Sequence, residues 1–152
     1  SMDPHQASLL ERGMKTLHVR YERAMNTASQ FASWLESHDK IKKVIYPGLE
    51  SHDDYDLSKK VLDSPSTMVC FEVEGGDEAG RKLMDNLKTA AQAVSLGGVE
   101  SLISMPCSTT HVSWKKEDRL AAGIGLGFVR FSTGLEDSED LILDFEQALN
   151  KI

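Results

Sequence analysis

The sequence predicts one α/β domain, a small sheet covered by helices, entered by a long amino-terminal helix. Three observations carry that reading. The first segment is periodic at helical spacing, short apolar strands alternate with helical stretches through the middle, and an amphipathic segment closes the chain. At 152 residues, with 40% hydrophobic and 27% charged residues, the chain suits one compact domain with a real core.

The long helix is read from Leu10, Met14, Leu17, Tyr21, Ala24, Ala28, Phe31 and Leu35, whose steps of four and three keep them on one face. Lys15, Arg20, Glu22, Arg23 and Gln30 fill the other faces. A helix of roughly 30 residues is about 45 Å long, more than a domain of this size needs. It is therefore expected either to bend over its own core, to pair in a coiled coil, or to run between two domains. Residues 41–46 follow as a strand stopped by Pro47-Gly48. Residues 56–62 suit a short helix, and 67–73 a strand ended by Gly75-Gly76. Asp77 is placed to cap a helix reaching about Leu87. Residues 89–95 read as a strand leading into Leu96-Gly97-Gly98, and a loop-rich stretch runs on through Pro106 to Lys115-Lys116. Residues 126–132 read as the last strand. Asp137, with Glu139 and Asp140 behind it, opens a final helix whose apolar surface is drawn from Leu141, Leu143, Phe145 and Leu149.

Composition removes several classes of function. The net charge of −7 argues against a nucleic-acid surface, which needs clustered Lys and Arg. No apolar stretch approaches the roughly 18 residues that span a bilayer. Cys70, inside Met68-Val69-Cys70-Phe71, reads as a core residue and Cys107 as a loop residue; reduced cysteines fit a cytosolic compartment. Neither has a second Cys or His at metal-ligand spacing, so no metal is expected.

Gly123-Ile124-Gly125-Leu126-Gly127 invites a nucleotide-loop reading, but a strand follows these glycines where a helix is required, and Arg130 stands at the place of the third glycine. A glycine-rich turn feeding a strand explains them better. His52 lies in a polar loop, and His111 follows Ser108-Thr109-Thr110, where a structural hydrogen bond is the simpler role. Arg130 is the unusual residue. Strand alternation places it with Phe128 and Ser132 on one face, opposite Val129 and Phe131. A guanidinium in an apolar strand must reach solvent, pair with an acid or hold an anionic ligand. Spacing alone leaves a structural arginine and a carboxylate-binding arginine both open.

The run Ser95-Leu96-Gly97-Gly98-Val99-Glu100-Ser101-Leu102-Ile103 is followed by Met105-Pro106-Cys107, by Thr110-His111 and by Val129-Arg130-Phe131-Ser132-Thr133-Gly134-Leu135-Glu136-Asp137. With Arg12-Gly13-Met14-Lys15-Thr16-Leu17 and Tyr46-Pro47-Gly48-Leu49, this order resembles the carboxy-terminal part of the Cys/Met-metabolism enzymes that use pyridoxal 5'-phosphate (PLP). The resemblance covers nearly the whole chain. It implies the small carboxy-terminal domain of the aspartate-aminotransferase-type fold, with residues 3–38 as an interdomain helix and 39–152 as the substrate-side domain. Ser1-Met2 then reads as an expression remnant, and the large domain that carries PLP on a lysine is expected upstream and absent. No catalytic, cofactor-binding or metal residue is expected in the chain, and alone it should be inactive.

By the same resemblance Arg130 grips the substrate α-carboxylate. Ser95 borders it, Leu96 lends backbone to the pocket wall, and Thr110 lies nearby. Val94 stands where γ-lyases and γ-synthases usually carry Glu, as it does in methionine γ-lyases and plant-type β-lyases. Ser101-Leu102-Ile103-Ser104-Met105-Pro106-Cys107 is most like plant-type cystathionine β-lyases, so the implied activity of the parent is β-elimination of cystathionine to homocysteine, pyruvate and ammonia. Methionine γ-lyase and cystathionine γ-lyase or γ-synthase are the near alternatives. A stand-alone regulatory domain that binds a small molecule is the non-enzymatic one. Trp114 departs from the pattern, which usually has a small or aliphatic residue there. The resemblance further implies a sulfur amino-acid substrate, a homotetrameric parent, no nucleic-acid or membrane partner, and a cytoplasmic location, or a plastid one for a plant parent.

Overall fold

A computed structural model describes residues 2–152; Ser1, half of the expected remnant, lies outside them. The amino-terminal helical segment is two helices, α1 (Pro4–Met14) and α2 (Leu17–Glu36). The expected single helix breaks at Lys15–Thr16, where Thr16 has φ −117° and ψ 7°. Arg20 braces the break, donating from Nε to Thr16 Oγ1 at 3.2 Å and from a terminal nitrogen to the Gly13 carbonyl at 2.6 Å. The chain continues through β1 (Ile41–Ile45), α3 (Tyr55–Val61), β2 (Met68–Val73) and α4 (Gly76–Asn86). After β3 (Ala91–Gln92) and β4 (Leu102–Ser104) come a 3₁₀ turn (Pro106–Ser108), α5 (Lys116–Ala121), β5 (Phe128–Ser132) and α6 (Ser138–Leu149).

The five strands form one sheet in the order β1-β2-β5-β4-β3. All pairs are antiparallel except β3 with β4. Helices α2, α4 and α6 pack on one face. Alternation aims Val69, Phe71, Val129, Phe131 and Ile103 at them, and all five are fully buried. Phe31 of α2 is the hub, with ring centroids 4.8 Å from Phe131 and 4.6 Å from Phe145. The other face carries Cys70, Phe128, Arg130 and Ser132. It is covered in part by the loop before β4, which bonds to Arg130 and Ser132.

Several expectations change. Residues 89–95 keep only two residues of strand, because pairing with β4 stops at Gln92. The loop-rich stretch hides β4, three buried residues too short to show a period, and the short helix α5 begins at its end, before the predicted last strand. Asp77 caps no helix: the position before α4 is Gly75 in the left-handed region, and Asp77 accepts from the Gly127 backbone at 2.8 Å, tying the glycine turn to α4. Leu143 is 66% exposed, because the buried stripe of α6 runs Leu141, Phe145, Ala148 and Leu149. Asp137 does cap α6, accepting from the Glu139 backbone, and also pairs with Arg23 at 3.1 Å. Cys70 is half-buried on the partly covered face and does not belong to the core.

Candidate functional site

Arg130 stands on β5, the middle strand, opposite Cys70 of β2 and Ser104 of β4. Both neighbours are small, so the long side chain can cross the sheet surface toward the loop before β4. There one terminal nitrogen donates to the Val94 carbonyl at 3.1 Å and the other to the Ser95 carbonyl at 2.9 Å. A guanidinium has five N–H groups in a planar fork. Two serve these carbonyls, and three remain for a ligand. No acid pairs with Arg130 among the described residues, so its charge is not neutralised within the chain. Such a site suits an anion, and a carboxylate matches the fork best.

Burial pushes the Cys70 thiol beside it up to about 11, and the nearby Arg130 charge only partly offsets that. At neutral pH such a thiol is protonated and a weak nucleophile.

The loop is fastened at both ends. Gly97 N donates to Ser132 Oγ at 3.3 Å, with Gly97 in the left-handed region at φ +76°. At the far end Ser101 is fully buried, donating from N to Glu136 Oε1 at 2.8 Å and from Oγ to Glu136 Oε2 at 2.7 Å.

The structure brings Arg130, Val94 and Ser95 together. Leu96 follows in the same loop with its side chain exposed, so only its backbone can border the site. Thr110 is not joined to Arg130: it shares a 2.8 Å hydrogen bond with His111 Nδ1 beyond the 3₁₀ turn, where the His111 ring meets Trp114 edge-on at 4.6 Å. Residues that sequence reasoning passed over are Ser104 and Cys70 beside Arg130, and Ser101 and Glu136 behind the loop. Strand alternation could have placed Ser104 and Cys70 on the right face, but only the strand order makes them neighbours of Arg130.

A family model described as "Cys/Met metabolism PLP-dependent enzyme" matches residues 1–150. The chain belongs to this family. It is 47% identical over 151 residues to an L-methionine gamma-lyase of Fusobacterium nucleatum subsp. polymorphum, covering 99% of the chain and 38% of that protein. It is 43% identical over 148 residues to a cystathionine gamma-lyase of Dictyostelium discoideum, covering 97% of the chain and 38% of that protein. A crystal structure of cystathionine gamma-lyase from Lactobacillus plantarum complexed with L-serine superposes with a TM-score of 0.90 at 34% identity, covering 99% of the chain and 39% of that structure. The chain thus spans well under half the length of these relatives.

The family's cofactor is pyridoxal 5'-phosphate. Its aldehyde needs a lysine amine and its phosphate a cradle of donors. No lysine is a hydrogen-bond or ion-pair partner of Arg130, Ser95 or Ser132 among the described residues. The left-handed glycines 123 and 127 lead into a strand and form no helix-borne cradle. These residues fit a carboxylate and not the cofactor itself.

Proposed function

We propose that the chain is the substrate-side domain of a PLP-dependent carbon–sulfur lyase, and that Arg130 holds the α-carboxylate of a sulfur amino acid. The observation that carries this is the unneutralised guanidinium on the partly covered sheet face, aimed by two backbone carbonyls. PLP, when bound, supplies the electron sink. The chain's own residues position. Arg130 would fix the carboxylate in one plane, and hence the direction of the Cα–H bond, while Cys70 and Ser104 set the height of the fork above the sheet.

Among the possible reactions, γ-elimination from methionine is favoured over β-elimination from cystathionine. The relatives named above are a methionine γ-lyase and cystathionine γ-lyases. By the resemblance described above, Val94 departs from the Glu usual in cystathionine γ-lyases, which among the γ-elimination substrates points to methionine. In this reading the Cγ–S bond of methionine breaks, and water takes up the remaining fragment. Methanethiol, 2-oxobutanoate and ammonia leave.

The test is an assay of the full-length protein containing this chain, with PLP, on L-methionine and L-cystathionine. 2-Oxobutanoate from methionine supports the reading. Pyruvate with homocysteine from cystathionine alone would return the assignment to a β-lyase, and no oxo acid from either would favour a stand-alone binding domain. Arg130→Lys keeps the charge but loses the fork, and is expected to lower kcat/KM by about 10- to 100-fold, equivalent to about 1.5–3 kcal/mol.

A further inference from the structure

We propose that Glu136 is a positioning residue for this clamp: through Ser101 it fixes the loop whose Val94 and Ser95 carbonyls aim the Arg130 guanidinium. The inference rests on the reading of Arg130 as the carboxylate-binding residue.

The clamp has two parts of unequal firmness. Arg130 is rooted in a strand paired on both sides. Its two acceptors belong to a segment whose side chains contribute little, since Val94, Leu96 and Val99 are 53%, 60% and 53% exposed. Something other than apolar burial must hold those carbonyls in register. At the near end Ala93 N donates to the Ile103 carbonyl at 3.1 Å and Gly97 N to Ser132 Oγ at 3.3 Å. At the far end the side-chain fastening converges on a single carboxylate.

Glu136 uses both oxygens there, one on Ser101 N and one on Ser101 Oγ. The same hydroxyl accepts from Gly134 N at 2.9 Å, and Leu135 N donates to the Val99 carbonyl at 2.8 Å. Gly134 is packed so closely on Val99 and Glu100 that a Cβ there would collide with their backbone. An ionised carboxylate only accepts hydrogen bonds. The direction of each bond is therefore fixed: Ser101 Oγ must donate to Glu136 and accept from Gly134. A neutral amide at position 136 offers one acceptor where two are used, and it leaves the buried hydroxyl without its strong partner.

Only Thr133 separates β5 from residues 134–136, so the latch ties the loop to the exit of the strand that carries Arg130. Glu136 itself makes no contact with Arg130 and acts only through the loop. The competing possibility is that the pairing of β3 with β4 suffices to hold the loop. The Ala91 N to Ser101 O and Ala93 N to Ile103 O bonds would then carry the load without Glu136.

The experiment uses the full-length PLP-loaded protein and compares kcat/KM for L-methionine with that for L-methioninamide, which lacks the carboxylate. Wild type should prefer the acid, and Arg130→Ala should abolish the preference. Glu136→Gln and Ser101→Ala are each expected to cut the acid-to-amide ratio about tenfold, because a clamp aimed wrongly by a fraction of an ångström loses its geometric advantage. The double variant should be no worse than either single one, as expected for partners in one contact. Loss of folded protein lowers both substrates alike and leaves the ratio unmoved, so the ratio reports positioning. If wild type prefers the acid and both variants keep the ratio within about twofold, the latch has no positioning role and the inference is overturned. If wild type shows no preference, the clamp itself falls and the inference falls with it.

Discussion

Replacing Phe31 tests the core on which the site rests. Phe31 is fully buried and meets three aromatic rings, Trp34 at 5.7 Å, Phe131 at 4.8 Å and Phe145 at 4.6 Å between centroids. Phe31→Ala removes the ring from between α6 and the sheet, and elements that already pack against each other have little room to collapse into the gap. The cost should fall near the top of the range for such truncations, about 5 kcal/mol. Phe31→Leu keeps most of the volume but loses the edge-to-face contact with Phe145 and the tilted ones with Phe131 and Trp34, for about 1.5 kcal/mol. Leu143→Ala on the exposed side of α6 should change stability by no more than about 0.5 kcal/mol. Urea unfolding of the chain followed by tryptophan fluorescence gives all three. With a slope of about 2 kcal/mol per molar urea, the alanine variant loses about 2.5 M from its midpoint. A loss under about 2 kcal/mol for Phe31→Ala with an unchanged slope, or equal costs for Ala and Leu, would refute the hub assignment.

Other measurements reach different parts of the molecule. Gly127→Ala places a Cβ 2.6 Å from the Val73 carbonyl at φ +72°, and should cost about 2–3 kcal/mol in the same urea assay. The Cys70 thiol, raised from 9.0 to about 11, should alkylate slowly at pH 8 and gain rate up to about pH 11, read by mass spectrometry of the labelled peptide. Because the folded value exceeds the unfolded one, the associated stability is complete below about pH 9 and is lost as the pH climbs toward 11. Asp137 has the opposite sign. The Glu139 backbone and then Arg23 hold its carboxyl below the ordinary 3.8. Its support is present above that value and disappears as the pH falls through the lower folded one, so thermal unfolding of Asp137→Asn should depend less on pH in that range.

Much of this was legible in the sequence where the signal is local. Of the predicted stripe, Ala24, Ala28, Phe31 and Leu35 are buried as their spacing requires, while Leu10, Met14, Leu17 and Tyr21 are exposed, and Asp137 opens α6. Alternation in β5 put Arg130 on the face away from Val129 and Phe131. Two of the errors share a cause. Strand β4 gains its identity from pairing with β5, a long-range event that three residues cannot announce. Asp77 looked like a cap because its partner, Gly127, is distant in sequence. Leu143 was counted with the apolar face although it lies two residues from Leu141, about 200° around the helix. At the site, motif order singled out Arg130 and Ser95. It did not indicate that Val94 contributes a carbonyl, or that Thr110 would bond to His111.

The proposed carboxylate clamp is assembled from material of two different stabilities. Amides of β5 lie in the middle of the sheet and should exchange with solvent only when the whole domain opens, whereas those of residues 94–99 should exchange through local opening. The arginine is thus inherited with the fold, while the segment that directs it is replaceable. Substitutions there should redirect the Arg130 guanidinium without endangering the core.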